Sequence, residues 1–240
     1  MSLSKLSMLA AAATFCVSGV VAHADSLYMG SSPGSFKIEV KTNGHTTVET
    51  VGGGNYAGTT DNGNAFSAVF CVDLFDTINP GNTYNTTTIN NTGSVNGSSV
   101  SNAAEIAWLI LHLSATADSS TLGSEALQAA IWATEYDGNG SGFGSNGGPE
   151  FSIDGETGTF LTDYNADITA LNTAIGLGQV KSSLIGELDW ITPDSSRDRN
   201  TYQGLVGLDP PPAVPEPGTL SLLGTGILGL AGVVRRRMAA

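Results

Sequence analysis

Cysteine and basic residues are scarce in this 240-residue chain. It has two cysteines, Cys16 and Cys71, and nine Lys and Arg residues against 22 Asp and Glu residues. Four of the nine basic residues, Lys5 and Arg235–Arg237, lie near the ends, whereas every acidic residue lies within residues 25–216. A central region with five basic and 22 acidic residues repels phosphate backbones and anionic membrane surfaces. The composition therefore argues against nucleic-acid binding.

The first 24 residues have the pattern of an export signal. Lys5 precedes the apolar run MLAAAATFCVSGVV, and Ala22-His23-Ala24 has the small-x-small character of a cleavage site. We predict a signal peptide over residues 1–24, so Cys16 is removed on export. The exported chain then keeps Cys71 alone and can form no internal disulfide.

The last 32 residues predict a linker and a membrane anchor. Residues 209–217 are a stiff proline-rich linker, and residues 218–234 carry no charge. Arg235, Arg236 and Arg237 follow as a stop signal on the cytoplasmic side, which places the preceding chain outside. We therefore expect a C-terminal transmembrane helix and basic tail over residues 218–240, anchored at first in the inner membrane.

This tail resembles the PEP-CTERM sorting signal of Gram-negative bacteria. The resemblance rests on Pro215, Glu216 and Pro217, the apolar stretch after them and the terminal arginine cluster. It implies recognition by an exosortase, a membrane-embedded cysteine peptidase. It also implies release or transfer to the cell surface, often in organisms that make exopolysaccharide.

The central region, residues 25–208, predicts an α+β fold, a β-rich domain with a helical insertion. SFKIEVKT and TTVETV alternate with period two, and residues 65–75 read as a buried strand. Apolar spacing indicates a helix opened by a capping box of Asn102 and Glu105, and a second from about Ser124 through Gln128. A weaker third helix is expected over 161–175, followed by closing strands in LIGELDWITP and TYQGLVGLD.

Gln128 lies on the apolar face of the second predicted helix. It shares that face with Ile131, Trp132 and Glu135, and an unpartnered buried amide costs roughly 2–7 kcal/mol. A thiolate that attacks the Gln128 carbonyl would expel ammonia and leave an internal thioester with Cys71. Such a bond would need close approach, polar donors for the oxyanion, and apolar cover, for which Phe70 and Trp132 are suitably placed.

The segments FCV around Cys71 and LQAAIW around Gln128 resemble the thioester domains of Gram-positive surface adhesins. The resemblance implies that Cys71 and Gln128 form the cross-link. It also implies that an amine on a target opens the bond and becomes an amide of Gln128. The expected function is covalent attachment to an amine-bearing or hydroxyl-bearing surface, matrix or exopolysaccharide target.

Other interpretations of these residues remain open. Cys71 could be inert within a non-covalent structural or binding component of an extracellular polysaccharide matrix, or it could pair with His45 or His112 in a hydrolase. Asp137 opens a calcium-like loop, but Gly148 occupies the position that needs a bidentate glutamate. Asp73 and Asp76 could tune the thiol. We expect a protein that is not an enzyme, with no cofactor and no metal site.

Overall fold

The computed structural model describes residues 25–32, 34–42, 45–137, 150–194 and 202–209. The strands are β1 Asp25–Tyr28, β2 Gly34–Thr42, β3 His45–Gly53, β4 Thr60–Asp61, β5 Asn64–Ala65, β6 Ala68–Cys71, β7 Thr83–Asn90, β8 Ser94–Val95, β9 Ser98–Ser99, β10 Glu150–Ile153, β11 Asp189–Thr192 and β12 Leu205–Leu208. The helices are α1 Ala103–Ala117, α2 Thr121–Asp137 and α3 Thr159–Gly176, with a 3₁₀ helix at Ser182–Glu187.

Antiparallel pairing organises most strands into two sheets. The larger has the order β5-β4-β1-β7-β11-β12-β6, and the smaller has the order β10-β2-β3. At one edge of the larger sheet, β6 pairs with β12 so that Cys71 lies opposite Leu205. The main chain of Cys71 is therefore positioned by β12, which is the last of the described strands along the chain.

Helix α2 is buried between the other helices and the smaller sheet. It packs against α1, α3, β10, β2 and β3. Most of its central positions are alanine or large apolar residues with no exposed surface, which is the pattern of a helix enclosed on every side. Its one fully buried amide, Gln128, therefore has to find its hydrogen-bond partners inside the protein.

The α+β prediction is confirmed: the described residues form a β-rich fold with three α-helices. The capping box is wrong in its chemistry, although a helix does begin there. Asn102 has a left-handed backbone with φ 53° and makes no side-chain cap; its amide donates instead to the Thr134 carbonyl oxygen at 2.7 Å. The strand expected over 65–75 is shorter, and LIGELDWITP divides between the 3₁₀ helix and β11.

Both termini of the chain lie outside the described residues. These include the predicted signal peptide, the sorting residues Pro215–Pro217, the apolar stretch 218–234 and the arginine cluster. Within the described ranges, no helix combines the length and apolar character required to cross a membrane. The predicted anchor therefore stays a prediction from the sequence.

Candidate functional site: the Cys71–Gln128 pair

The structure brings Cys71 and Gln128 into direct contact. The Cys71 backbone N–H donates to Gln128 Oε1 at 2.9 Å, and Gln128 Nε2 donates to the Cys71 carbonyl oxygen at 2.7 Å. Both residues are 0% exposed. The Gln128 amide thus forms two hydrogen bonds with the main chain of Cys71, so both of its polar groups have a partner.

Close packing behind Gln128 holds its side chain against β6. Gly53, the last residue of β3, lies so close that an added Cβ would stand 2.8 Å from Gln128 Cγ and 3.0 Å from Phe36 Cε1. The same Cβ would lie 3.5 Å from Trp132 Cη2. Glycine at this position therefore leaves the space that the stem of Gln128 fills.

The thiol of Cys71 has partners other than Gln128. Its Sγ donates to Gln203 Oε1 at 3.0 Å, and the hydroxyl of Tyr56 also hydrogen-bonds to it. Burial raises the pKa of Cys71 well above its usual value; the Tyr56 hydrogen bond works against this, and the charge of Asp73 adds to it. The resting side chain is a neutral thiol, so any reaction at sulfur must also move the thiol proton.

A cleft of about 550 Å³ leads toward this site. One wall comes from the face of β2 and β3 that carries Val40 and Thr47, which are paired across the two strands. The opposite wall is the segment 74–78, and Tyr56 and Gln203 also line the cleft. The two side chains that interact with the Cys71 thiol thus also line the cleft.

The described residues that line the cleft include carboxylates and no basic side chain. Glu49 of β3 and Asp76 of the opposite segment both line it, together with several threonine and serine hydroxyls. Burial raises the pKa of Asp76, and neighbouring Asp73 raises it further by charge repulsion and a hydrogen bond. The negative charge of the cleft therefore favours the entry of neutral or cationic groups over anions.

The two residues predicted as apolar cover have different positions. Trp132 lies one turn after Gln128 on α2, is fully buried, and lines the cleft. Phe70 is also fully buried, but it precedes Cys71 on β6, so its side chain leaves the opposite face of the strand. Trp132 thus lines the cleft one turn from Gln128, and the roles of Trp132 and Phe70 as cover both stay predictions.

Three residues at the site carry no signal in the sequence that marks them as functional. Gln203 and Tyr56 contact the thiol, and Gly53 packs on Gln128. Glycine in GGGN and glutamine in TYQG look like ordinary loop residues, because their partners are far away along the chain. The buried Gln128 was conspicuous only because it interrupted an apolar helix face.

The other candidate groupings have different surroundings. The His112 ring stacks on Trp108, and its Nδ1 makes a hydrogen bond with the Trp108 carbonyl oxygen. His45 lies exposed at the start of β3. The partners that the structure gives the thiol are thus an amide and a phenol. Asp137, the first residue of the calcium-like loop, ends α2, and the rest of that loop, residues 138–148, lies outside the described residues. The described part contains no acidic or His/Cys grouping suited to a metal ion.

Comparison with known proteins identifies the sorting signal. Residues 213–237 match the model of the PEP-CTERM protein-sorting motif. The match includes Pro215–Pro217 and the arginine cluster, and it indicates an exported protein that an exosortase sorts at the membrane. Neither a curated protein nor a solved structure matches the chain significantly. The thioester resemblance stays a prediction from its two short motifs.

Proposed function

We propose that this chain is an exosortase-processed surface or matrix protein whose domain forms a Cys71–Gln128 thioester for covalent attachment. The observation that carries the proposal is the contact of the Gln128 carboxamide with the backbone of Cys71, the sole cysteine of the predicted exported chain. The target is an amine-bearing or hydroxyl-bearing surface or exopolysaccharide. The acidic cleft beside the pair supports an approach by neutral or cationic groups.

The arrangement supports this chemistry through two features. The Cys71 N–H already donates to Gln128 Oε1, the atom that gains negative charge when sulfur adds to the carbonyl carbon. Full burial of both residues keeps water from the product. In the reaction, the S–C bond forms, the C–N bond breaks, and the thiol proton leaves with the amide nitrogen as ammonia.

A second function is favoured by one observation. Both polar groups of Gln128 already have hydrogen-bond partners, so the residue can serve as a purely structural link between α2 and β6. Cys71 is then inert, and the protein is a non-covalent structural or binding component of an extracellular matrix. The two functions predict different covalent structures for the same fold.

Intact mass measurement of the exported, processed protein tests the proposal. Thioester formation makes the chain lighter by one ammonia, and Cys71→Ala abolishes that difference because no sulfur is available. Methylamine added to the native protein opens the bond, restores a titratable thiol and adds its own mass at Gln128. A full-mass chain whose thiol titrates freely after unfolding would contradict the thioester and support the structural link.

A further inference from the structure

Gln203 is fixed between the Cys71 thiol and the cleft by three hydrogen bonds. Its Oε1 accepts the thiol hydrogen at 3.0 Å, and its Nε2 donates to the Asp73 carbonyl oxygen. Its backbone N–H donates to the Thr77 carbonyl oxygen at 3.2 Å. The residue is 6% exposed and lines the cleft, and its hydrogen bonds hold the amide with the oxygen toward sulfur.

Thioester formation would change what this oxygen contacts. The thiol hydrogen leaves with ammonia when the S–C bond forms, and an acylated sulfur has no hydrogen to donate. Gln203 Oε1 would then have lost its donor while Nε2 remained bound to Asp73. A nearly buried acceptor without a donor is costly, and the cleft is the side from which a new N–H or O–H can arrive.

We propose that Gln203 is the positioning residue for both steps at the Cys71–Gln128 pair, first for the thiol and then for the incoming nucleophile. This inference rests on the proposed function. In the first step Oε1 accepts the thiol hydrogen and fixes the sulfur of the residue whose main chain holds the Gln128 amide. In the second step the same oxygen accepts a hydrogen bond from the amine or hydroxyl that enters through the cleft.

The second step closes the cycle with balanced atoms. The nucleophile forms a bond to the Gln128 carbonyl carbon, the S–C bond breaks, and the proton lost by the nucleophile passes to sulfur. The regenerated thiol again has a hydrogen for Gln203 Oε1. Tyr56, whose hydroxyl also hydrogen-bonds to the thiol, adds a donor to the sulfur as the bond to carbon breaks.

Gln203→Met and Gln203→Glu test this role in the exported, processed protein. Methionine keeps the length of the side chain without the acceptor, whereas glutamate keeps an acceptor oxygen and adds a titrating group. Gln179→Met, at an exposed position after α3, is the matched control. Intact mass follows the loss of ammonia over time, then the gain of methylamine over a range of pH, and thermal unfolding verifies that each variant is folded.

We expect Gln203→Met to slow both steps about tenfold, the equivalent of about 1.4 kcal/mol for one lost hydrogen bond. Gln203→Glu should recover much of the rate and change the pH profile of methylamine addition from that of the wild type, and Gln179→Met should behave as wild type. If Gln203→Met does not fold, the rate and pH profile of Gln203→Glu decide.

Two results would overturn the role of Gln203. One is wild-type rates in Gln203→Met; the other is a Gln203→Glu variant that is as slow as Gln203→Met, or that has the wild-type pH profile. A wild-type protein that never loses ammonia would instead refute the proposed function itself. The two failures are therefore distinguishable.

Discussion

Gly53→Ala should displace Gln128 from Cys71, whereas Gly52→Ala should not. Carbon atoms in contact normally lie about 3.5–4.0 Å apart, but a Cβ at residue 53 would lie 2.8 Å from Gln128 Cγ and 3.0 Å from Phe36 Cε1. Phe36 packs against two other rings, 5.8 Å from Trp132 and 5.2 Å from Phe160 between centroids. Gln128 is therefore the side chain that has to shift.

The cost of this shift has two parts. Overpacking a filled core costs about 1–3 kcal/mol. If Gln128 also loses both hydrogen bonds to Cys71, each contributes about 0.5–1.5 kcal/mol more. The expected loss in the free energy of unfolding is therefore about 2–6 kcal/mol, and the Cys71–Gln128 bond should fail to form.

Gly52→Ala is the matched control because the added Cβ there meets ordinary contacts. It would lie 3.5 Å from Ser32 Oγ and 3.8 Å from the Gly34 carbonyl oxygen. Neither Gly52 nor Gly53 has a positive φ, so backbone strain does not separate the two variants. Alanine at residue 52 should leave stability unchanged or raise it by about 0.4–1 kcal/mol through the unfolded chain.

The assay is urea unfolding of both variants in a Cys71→Ala background. That background keeps the two main-chain hydrogen bonds to Gln128 and cannot form the covalent bond, so the measurement reports packing alone. Intact mass of the same variants with Cys71 present reports bond formation. If the unfolding free energies of Gly53→Ala and Gly52→Ala agree within about 0.5 kcal/mol, the reasoning on this contact is refuted.

Two further predictions concern buried polar groups. Gln128→Met keeps the side-chain volume but removes both hydrogen-bond partners of the Cys71 main chain. It should lower the unfolding free energy by about 1–3 kcal/mol for each buried group left unsatisfied. Unchanged urea unfolding in the Cys71→Ala background would contradict the two hydrogen bonds between Gln128 and the Cys71 main chain. Burial, with the charge of Asp73, raises the pKa of Glu135 from 4.5 to about 9. The folded state therefore binds a proton that the unfolded state releases. The contribution of Glu135 to the free energy of unfolding is fully present below about pH 4.5 and is lost as pH rises toward 9. Glu135→Gln should flatten this decline in pH-dependent unfolding, and an unaltered decline would show that Glu135 is not its source.

Local pattern was enough to predict much of the fold. Period-two alternation in SFKIEVKT and apolar spacing around Gln128 produced strand β2 and helix α2 close to their observed positions. Prediction from local pattern failed where a hydrogen-bond partner distant in the chain competes with a neighbouring one. Asn102 has the residue type and spacing of a cap, but its amide reaches Thr134 on α2 instead.

The sequence by itself determined the charge of the domain, its sorting signal, and the two anomalies that define the site. A lone cysteine in an exported chain and an amide on an apolar helix face are visible without coordinates, because each departs from its local surroundings. Only the tertiary structure decided that the amide is hydrogen-bonded to the Cys71 backbone, that Gln203 accepts the thiol hydrogen, and that Gly53 leaves room for the stem of Gln128. These contacts join segments far apart in the chain, and such packing leaves no periodic trace in the sequence.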